Sequence, residues 1–389
     1  VSTHMEQDKP NRECLLDKTP QGTLGKPLSR SEGLAKVTGT APYAAEYPIA
    51  DCLEGVLVTA PFAKGTIDSI DKEGCLAMEG MIAVIDDERL TSRPAQGTAG
   101  EAPVQKPRQI DYFGQPFALV VAETFEQGRH AAKHLEFTFT ADDLSQVPFD
   151  PEAAESERQE ETRQGDLAHA MSDAKHAVDA RITTAGHASA AMEPHAAIAQ
   201  WDGSNLTVHA SLQMLNYNIS ELADALGMDE DNIRLVSRYV GGGFGSKLGI
   251  SQECLAASLA SMALEKPVRV VLSRQQVFQT IMRRSETTQR LRLAAGDDGA
   301  LSGFGHEGLV SNLPEESFAE PILQSSQFLY GGQNRLLGLD VARMHRMTAG
   351  SVRAPGEAVG MPALEVAMDM LAEESGVDPV ELRLRNIPD

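Results

Sequence analysis

Residues 232–273 read NIRLVSRYVGGGFGSKLGISQECLAASLASMALEKPVRVVLS. Three elements follow one another here, with a glycine run between the first two. The stretch 232–240, NIRLVSRYV, has the length and the β-branched content of a strand. SQECLAASLASMALEK (251–266) is rich in Ala and Leu and stops at Pro267, as helices do. VRVVLS (268–273) returns to strand. Upstream, NLTVHASL (205–212) predicts a strand and NYNISELADALGM (216–228) a helix, with Leu222, Ala225 and Leu226 on one stripe and Gly227 at its end. Strand, helix, strand, glycine loop, helix, strand is α/β architecture.

The glycine run itself, VGGGFGSK (240–247), places four glycines in five positions around Phe244. Ordering glycine costs more backbone entropy than ordering any other residue, so such a run needs a reason. A loop between strand and helix can present backbone N–H groups to an anion. The run is not a Walker loop, because Lys247 follows Ser246 rather than Gly and precedes Leu248. It is not a dinucleotide fingerprint either: Gly241 and Gly243 fit, but Ser246 occupies the third position. Two readings remain, a tight turn packed under the sheet and a backbone that admits a large flat or anionic ligand.

The remaining chain divides by rhythm. Residues 1–30 read as an irregular lead-in with Pro10, Pro20 and Pro27. Over 31–141 short strands alternate with turns, clearest in LEGVLVTA (53–60), MIAVID (81–86) and PFALVVAE (116–123). A helix is expected over 124–134 with Thr124 as its N-cap, then a strand over 135–141, so this part reads as a compact α+β unit. Residues 142–164, centred on DPEAAESERQEET, read as an acidic, solvated linker, with a helix as the alternative. Beyond it, 291–308 reads as two strands around an Asp-Asp-Gly turn, and 362–376 as a helix closed by Gly376.

Acidic residues exceed basic ones by 56 to 34, a formal charge of −22, which argues against nucleic acid as a partner. The longest apolar runs, such as 82–85 and 268–272, are too short for a membrane span, and the polar start lacks the apolar core of a signal peptide. A soluble protein is expected, periplasmic or cytoplasmic. Cys14, Cys52, Cys75 and Cys254 form no C-x-x-C pair, so spacing builds neither an iron–sulfur nor a zinc site. His187, Glu193 and His195 lie close in sequence but match no standard metal spacing. Gln213 ends a predicted strand and can both donate and accept, though an exposed amide there needs no function. Arg353 lies in a Pro/Gly-bounded loop and could equally pair with Glu357.

Six stretches in fixed order carry a further signal: LAKVTGTAPYAAEYP (34–48), FALVVAETFEQGRHAA (117–132), MEPHAAIAQWDG (192–203), RYVGGGFGSKL (238–248), KPVRVVLSR (266–274) and RAPGEAVGMPALEVAMDMLAEESGVDPVELRLRN (353–386). Together they resemble the molybdenum-binding large subunit of the xanthine dehydrogenase/aldehyde oxidase family, and most closely the bacterial periplasmic aldehyde oxidoreductases. The resemblance implies an a/b hammerhead domain over 31–141 and a first molybdopterin-binding domain over 165–389, an α+β unit followed by an α/β one. It implies a molybdenum hydroxylase that oxidises aldehydes to carboxylic acids, by attack of a Mo–OH group and hydride transfer to Mo=S. The cofactor expected is molybdenum–molybdopterin in its cytosine dinucleotide form, with iron–sulfur and FAD centres on partner subunits. No side chain is expected to ligate the metal, which the pterin dithiolene holds.

By the same resemblance Gln213 hydrogen-bonds an oxo ligand of molybdenum. Gly242, Gly243, Phe244 and Gly245 bring the main chain against the cofactor, where Cβ atoms would collide with it. Arg353 holds oxyanion character on substrate or product, and Ala354 lies beside it. Leu248 stands where xanthine-oxidising members carry a substrate-contacting glutamate, which favours aldehydes over purines. Large subunits of the family are about twice as long, and the general-base glutamate belongs to the half that would follow Asp389. The chain is therefore expected to need a complementary C-terminal half. A remnant or assembly module without turnover, and a hydroxylase of N-heterocycles, are the alternatives.

Overall fold

In the computed structural model, residues 18–19, 22–23, 25–90, 108–142 and 155–388 are described. The strands are β1 (Leu53–Thr59), β2 (Gly65–Asp71), β3 (Met81–Ile85), β4 (Gln109–Ile110), β5 (Pro116–Ala122), β6 (Glu136–Ala141), β7 (Ser156–Gln164), β8 (His176–Thr184), β9 (Ala196–Trp201), β10 (Leu206–Ala210), β11 (Ile233–Val236), β12 (Val268–Val271), β13 (Thr287–Ala295), β14 (Leu301–Asn312) and β15 (Asn334–Arg343). The principal helices are α1 (Phe125–His134), α2 (Leu215–Leu226), α3 (Gln252–Leu264), α4 (Glu357–Ser375) and α5 (Pro379–Asn386).

Local chemistry explains most element ends. Thr124 caps α1 in a capping box with Gln127, as the sequence predicts. α2 stops at Gly227, which takes the left-handed conformation at φ 67°. After Gln252 and Glu253, α3 is apolar or small on every side, as an interior helix is, and its residues from Gln252 to Ser261 are buried. Its serines stay satisfied: Ser258 Oγ donates to Cys254 O at 2.7 Å, and Ser261 Oγ to Lys266 O at 2.8 Å. The Asp-Asp-Gly turn at 297–299 joins β13 and β14 in antiparallel register. α4 begins at Glu357 rather than Pro362, because the chain turns sharply at Gly356 (φ 80°) and Pro362 falls in the second turn.

Three sheets result, in the orders β11-β10-β9-β12-β1-β5-β3, β7-β15-β14-β13-β8 and β4-β2-β6. The first is mixed, since β10–β11 and β1–β12 are parallel while β9 runs against both its neighbours. It also joins the two halves of the chain: β1 pairs with β12 through Leu53↔Val268. One apolar core continues across that seam, with Leu57 and Leu119 packed among Val270, Leu255 and Leu272. A second core lies between the five-stranded sheet and α4, and a third within 58–135.

The acidic linker expected over 142–164 needs correcting. Residues 143–154 lie outside the described residues, but Ser156–Gln164 form β7, an edge strand paired antiparallel with β15. Nearly all its side chains are exposed, so it shows no apolar alternation. Cross-strand charge pairs take that place, such as Arg158 Nε to Asp340 Oδ1 at 2.6 Å. Much of the 1–30 lead-in, with Cys14, also lies outside the described residues. Cys52, Cys75 and Cys254 are free thiols. Among the described residues no helix is long and apolar enough to cross a membrane.

Gly55 sits at the seam, where a Cβ would meet Val270 Cγ2 at 2.8 Å and Leu119 Cδ1 at 3.1 Å. Gly55→Leu is expected to cost about 1–3 kcal/mol through overpacking. Because the core is continuous, the loss must appear at Trp201 on β9, the chain's single tryptophan. The denaturant midpoint followed by Trp201 fluorescence should fall. An unchanged midpoint would mean that the two halves unfold separately.

Candidate functional site

The glycine loop runs from Gly241 to Lys247, between β11 and α3. Its two ends are fastened to one carboxylate. Glu193 Oε2 accepts from Gly241 N at 2.6 Å and from Lys247 Nζ at 3.0 Å, and also from Ser211 Oγ at 2.6 Å. Lys247 is wholly buried, and Nζ donates to Glu193 O at 3.1 Å as well. Burial pulls the Lys247 ammonium down from its ordinary value, while Glu193 pushes it back up. His195 lies beneath the same loop, its Nε2 against Ser246 O at 3.0 Å, and burial lowers its affinity for a second proton.

Between those fastenings the chain takes conformations that ordinary residues avoid. Gly242 and Gly245 have φ of 102° and 103°, and Phe244 stands at φ 53° with its ring half exposed. A bulky residue in the left-handed region is an outlier that usually accompanies function. The glycines answer to the protein's own atoms. A Cβ on Gly243 would lie 2.1 Å from Gln213 Oε1. One on Gly245 would lie 2.1 Å from Ser351 O, and one on Gly241 would lie 2.5 Å from Glu193 Cβ.

That packing orients Gln213. Its Oε1 accepts from Gly245 N at 3.2 Å and Lys247 N at 3.3 Å, while the Gln213 backbone N–H donates to Lys247 O at 2.8 Å. Two N–H donors can face only the amide oxygen, so Nε2 is left as an outward donor on an exposed side chain. Arg353 arrives from the other side: its N–H donates to Phe244 O at 2.7 Å, one residue from the atom that Gln213 holds. The Arg353 side chain is exposed and makes no ion pair with Glu357 or any other described residue. Ala354 follows at φ 55°.

The Arg353 loop has its own buried brace. Arg284 Nη1 donates to Glu320 Oε1 at 2.6 Å and to Ala354 O at 3.3 Å, and Nη2 donates to Val352 O at 3.0 Å and to Arg353 O. Glu320 Oε1 also takes Gly356 N at 2.7 Å. Burial raises the Glu320 carboxyl, opposed by Gly356 N–H and Arg284. Sequence reasoning missed Arg284 and Glu320. It met Glu193 and Lys247 only as a metal candidate and a failed Walker residue. The available clues were charged residues set in apolar or glycine-rich surroundings.

The expected site residues thus converge. Gln213, Gly242, Gly243, Phe244, Gly245, Arg353 and Ala354 form one continuous patch joined by main-chain hydrogen bonds. The N–H groups of Gly242, Gly243 and Phe244 have no acceptor among the described residues. Leu248 is half-buried just beyond, its carbonyl taken by Asn218 Nδ2 at 2.7 Å. The patch consists of hydrogen-bond donors: an amide N–H₂, backbone N–H groups and a guanidinium. That set fits an oxygen-rich, anionic group such as a molybdenum–pterin cofactor. His187, Glu193 and His195 do not converge: His187 pairs through its backbone with Arg284, while Glu193 is held by Lys247. Among the described residues no three His, Cys, Asp or Glu side chains are placed to hold a metal ion.

Removing one partner of a buried ion pair strands the other charge, at a cost of about 3–5 kcal/mol. Lys247→Met should therefore destabilise the chain by about that amount, read from urea midpoints. Adding Glu193→Gln should recover part of the loss, a coupling that a double-mutant cycle detects. Additive effects would mean that the two ends of the loop are not joined through this pair.

Residues 149–387 match the family model of the molybdopterin cofactor-binding domain, and residues 38–143 match that of the aldehyde oxidase and xanthine dehydrogenase a/b hammerhead domain. The chain is 37% identical over 387 residues to the aldehyde oxidoreductase molybdenum-binding subunit PaoC of Escherichia coli O157:H7, covering 98% of this chain and 52% of that protein. It is 28% identical over 414 residues to the aldehyde oxidoreductase of Megalodesulfovibrio gigas, covering 97% and 45%. Among solved structures, the aldehyde oxidoreductase from Desulfovibrio gigas superposes with a TM-score of 0.79 at 25% identity, over 92% of this chain and 43% of that one. The chain spans about half the length of the curated relatives it matches. With both domain families matched in order, the chain belongs to the molybdopterin-binding subunits of the xanthine dehydrogenase/aldehyde oxidase family.

Proposed function

We propose that this chain forms the first half of the cofactor and substrate site of an aldehyde-oxidising molybdenum hydroxylase, completed by a complementary C-terminal half. The observation that carries this reading is the fixed amide of Gln213: the loop holds its oxygen through Gly245 N and Lys247 N, which leaves its N–H₂ free, and the same loop bonds the Arg353 backbone through Phe244 O. When bound, the molybdenum cofactor supplies the two-electron acceptor for oxidation of the aldehyde to the acid. Gln213 Nε2 donates a hydrogen bond to an oxygen of that group, and the N–H groups of 242–244 hold the main chain against it. Arg353 stabilises the negative charge that grows on the carbonyl oxygen of the substrate. The half-buried Leu248 presents no carboxylate to a purine, and that favours aldehydes.

Further parts of the reading follow from the family. Residues 31–141 and 165–389 serve as the hammerhead and the first cofactor domain. The general base is a glutamate of the complementary half. The cofactor is the cytosine dinucleotide form, and electrons leave through iron–sulfur and FAD centres on partner subunits. The curated relative from Escherichia coli is itself named a subunit, which supports a multi-chain assembly.

The test uses the assembly of this chain with its complementary half and partners, assayed by aldehyde-dependent dye reduction. Losing an electrostatic donor aimed at the reacting centre costs about 10²–10³ in kcat. Arg353→Ala and Gln213→Ala should each fall by about that factor. Full activity in both variants would contradict the reading, as would an assembly that keeps both halves yet contains no molybdenum by elemental analysis. Partner docking without any dye reduction would instead identify a non-catalytic module.

A further inference from the structure

α2 starts directly after Gln213 and Met214, and its inward face carries two polar side chains where apolar ones are usual. Asn218 is fully buried and Glu221 nearly so, at 9% exposure. Both grip the chain as it leaves the glycine loop. Asn218 Nδ2 donates to Leu248 O at 2.7 Å, and Glu221 Oε2 accepts from Ile250 N at 2.9 Å. They also bond each other, Asn218 Nδ2 to Glu221 Oε2 at 2.9 Å.

Hydrogen-bond accounting then leaves a gap. The Leu248 carbonyl can only accept, so the Asn218 atom facing it is the amide nitrogen and the side-chain orientation is fixed. Both hydrogens of Nδ2 are used. Asn218 Oδ1 and Glu221 Oε1 remain, both buried and both without a partner among the described residues. With Glu221 ionised, these are two stranded acceptors, an expensive arrangement in an interior. A proton on Glu221 Oε1 would make that atom a donor and give Asn218 Oδ1 the donor it lacks: the acid O–H would face the amide carbonyl while the amide N–H donates to Glu221 Oε2.

We propose that Glu221 carries a proton in the folded protein near neutral pH, paired with Asn218, and that this proton latches residues 248–250 behind the glycine loop. Glu221 is then a positioning residue whose ionisation loosens the exit of the loop. Burial supports this, pushing the Glu221 carboxyl up to about 7, while Asn218 and Ile250 N–H pull it down. Arg234 on β11, Glu253 on α3, and Glu230 and Asp231 in the turn before β11 lie on the elements packed against α2. Asp224 lies on α2 itself, and Arg89 reaches Leu226 O at its end. None of these charges contributes to the displacement of Glu221. The folded value lies above the ordinary 4.5, so the latch is complete below the ordinary value and is lost as pH rises through about 7. The inference rests on this chain's own hydrogen bonds and holds whether or not molybdenum binds.

Amide hydrogen exchange of the full chain, corrected for intrinsic pH dependence, reads the latch directly. Linkage from the ordinary value to about 7 makes opening about tenfold more favourable at about pH 8 than at about pH 6. Protection over 248–250 should fall by about that factor in the wild type. Glu221→Gln places an N–H donor where the acid proton sits, so its protection should stay the same at both pH values. A pH-independent wild type, or an equal fall in Glu221→Gln, would overturn the proposal. Should the variant not fold, the wild type alone decides by infrared difference spectra: a protonated-carboxyl band lost between the two pH values supports the latch, and its absence refutes it.

Discussion

The carboxylate of Glu193 is the contact on which the site depends. It draws Gly241 N, Lys247 Nζ and Ser211 Oγ onto one oxygen, and so closes the glycine loop at its base. Burying an ammonium and a carboxylate together rarely stabilises a fold more than apolar packing would, because both ions must be desolvated. What the pair supplies is a fixed geometry. With positions 241 and 247 tied together, the residues between them must turn tightly, through left-handed steps at Gly242, Phe244 and Gly245.

From that loop, order spreads in two directions. Inward, the N–H groups of Gly245 and Lys247 seize one end of the Gln213 amide and thereby aim the other end. Across the loop, Phe244 O takes Arg353 N, and the Arg284–Glu320 pair braces the chain that follows. Two buried ion pairs therefore flank a patch whose Gln213 and Arg353 side chains are exposed. Donors held in place before a ligand arrives need no reordering when charge develops on it, which is the physical advantage of preorganisation.

Much of this was legible in the sequence, and the illegible parts share a cause. α2, α3 and the strands around them follow from period, caps and the stops at Gly227 and Pro267. Gln213, Arg353 and the glycine run stood out through their order along the chain. The pairing of Leu53 with Val268 did not, because no local pattern encodes a register between residues so far apart. β7 escaped because its charged side chains face solvent on an edge. Arg284 and Glu320 look like surface residues until the fold buries both at once. What the glycines pack against was hidden as well: their neighbours Glu193, Gln213 and Ser351 come from distant segments, so only the fold reveals what fills the space beside them.

The central claim is that the loop is shaped by its own interior, ahead of any ligand. Gly243 tests it most directly, since no unusual φ restricts this position and space is the sole objection to a side chain. The decisive measurement is the stability and structure of Gly243→Ala in cofactor-free protein. The account predicts a Gln213 amide displaced from Gly245 and Lys247, and a stability loss of about 0.5–1.5 kcal/mol for each of those two hydrogen bonds. An alanine protein with wild-type stability and an undisturbed Gln213, impaired only in taking up cofactor, would contradict it.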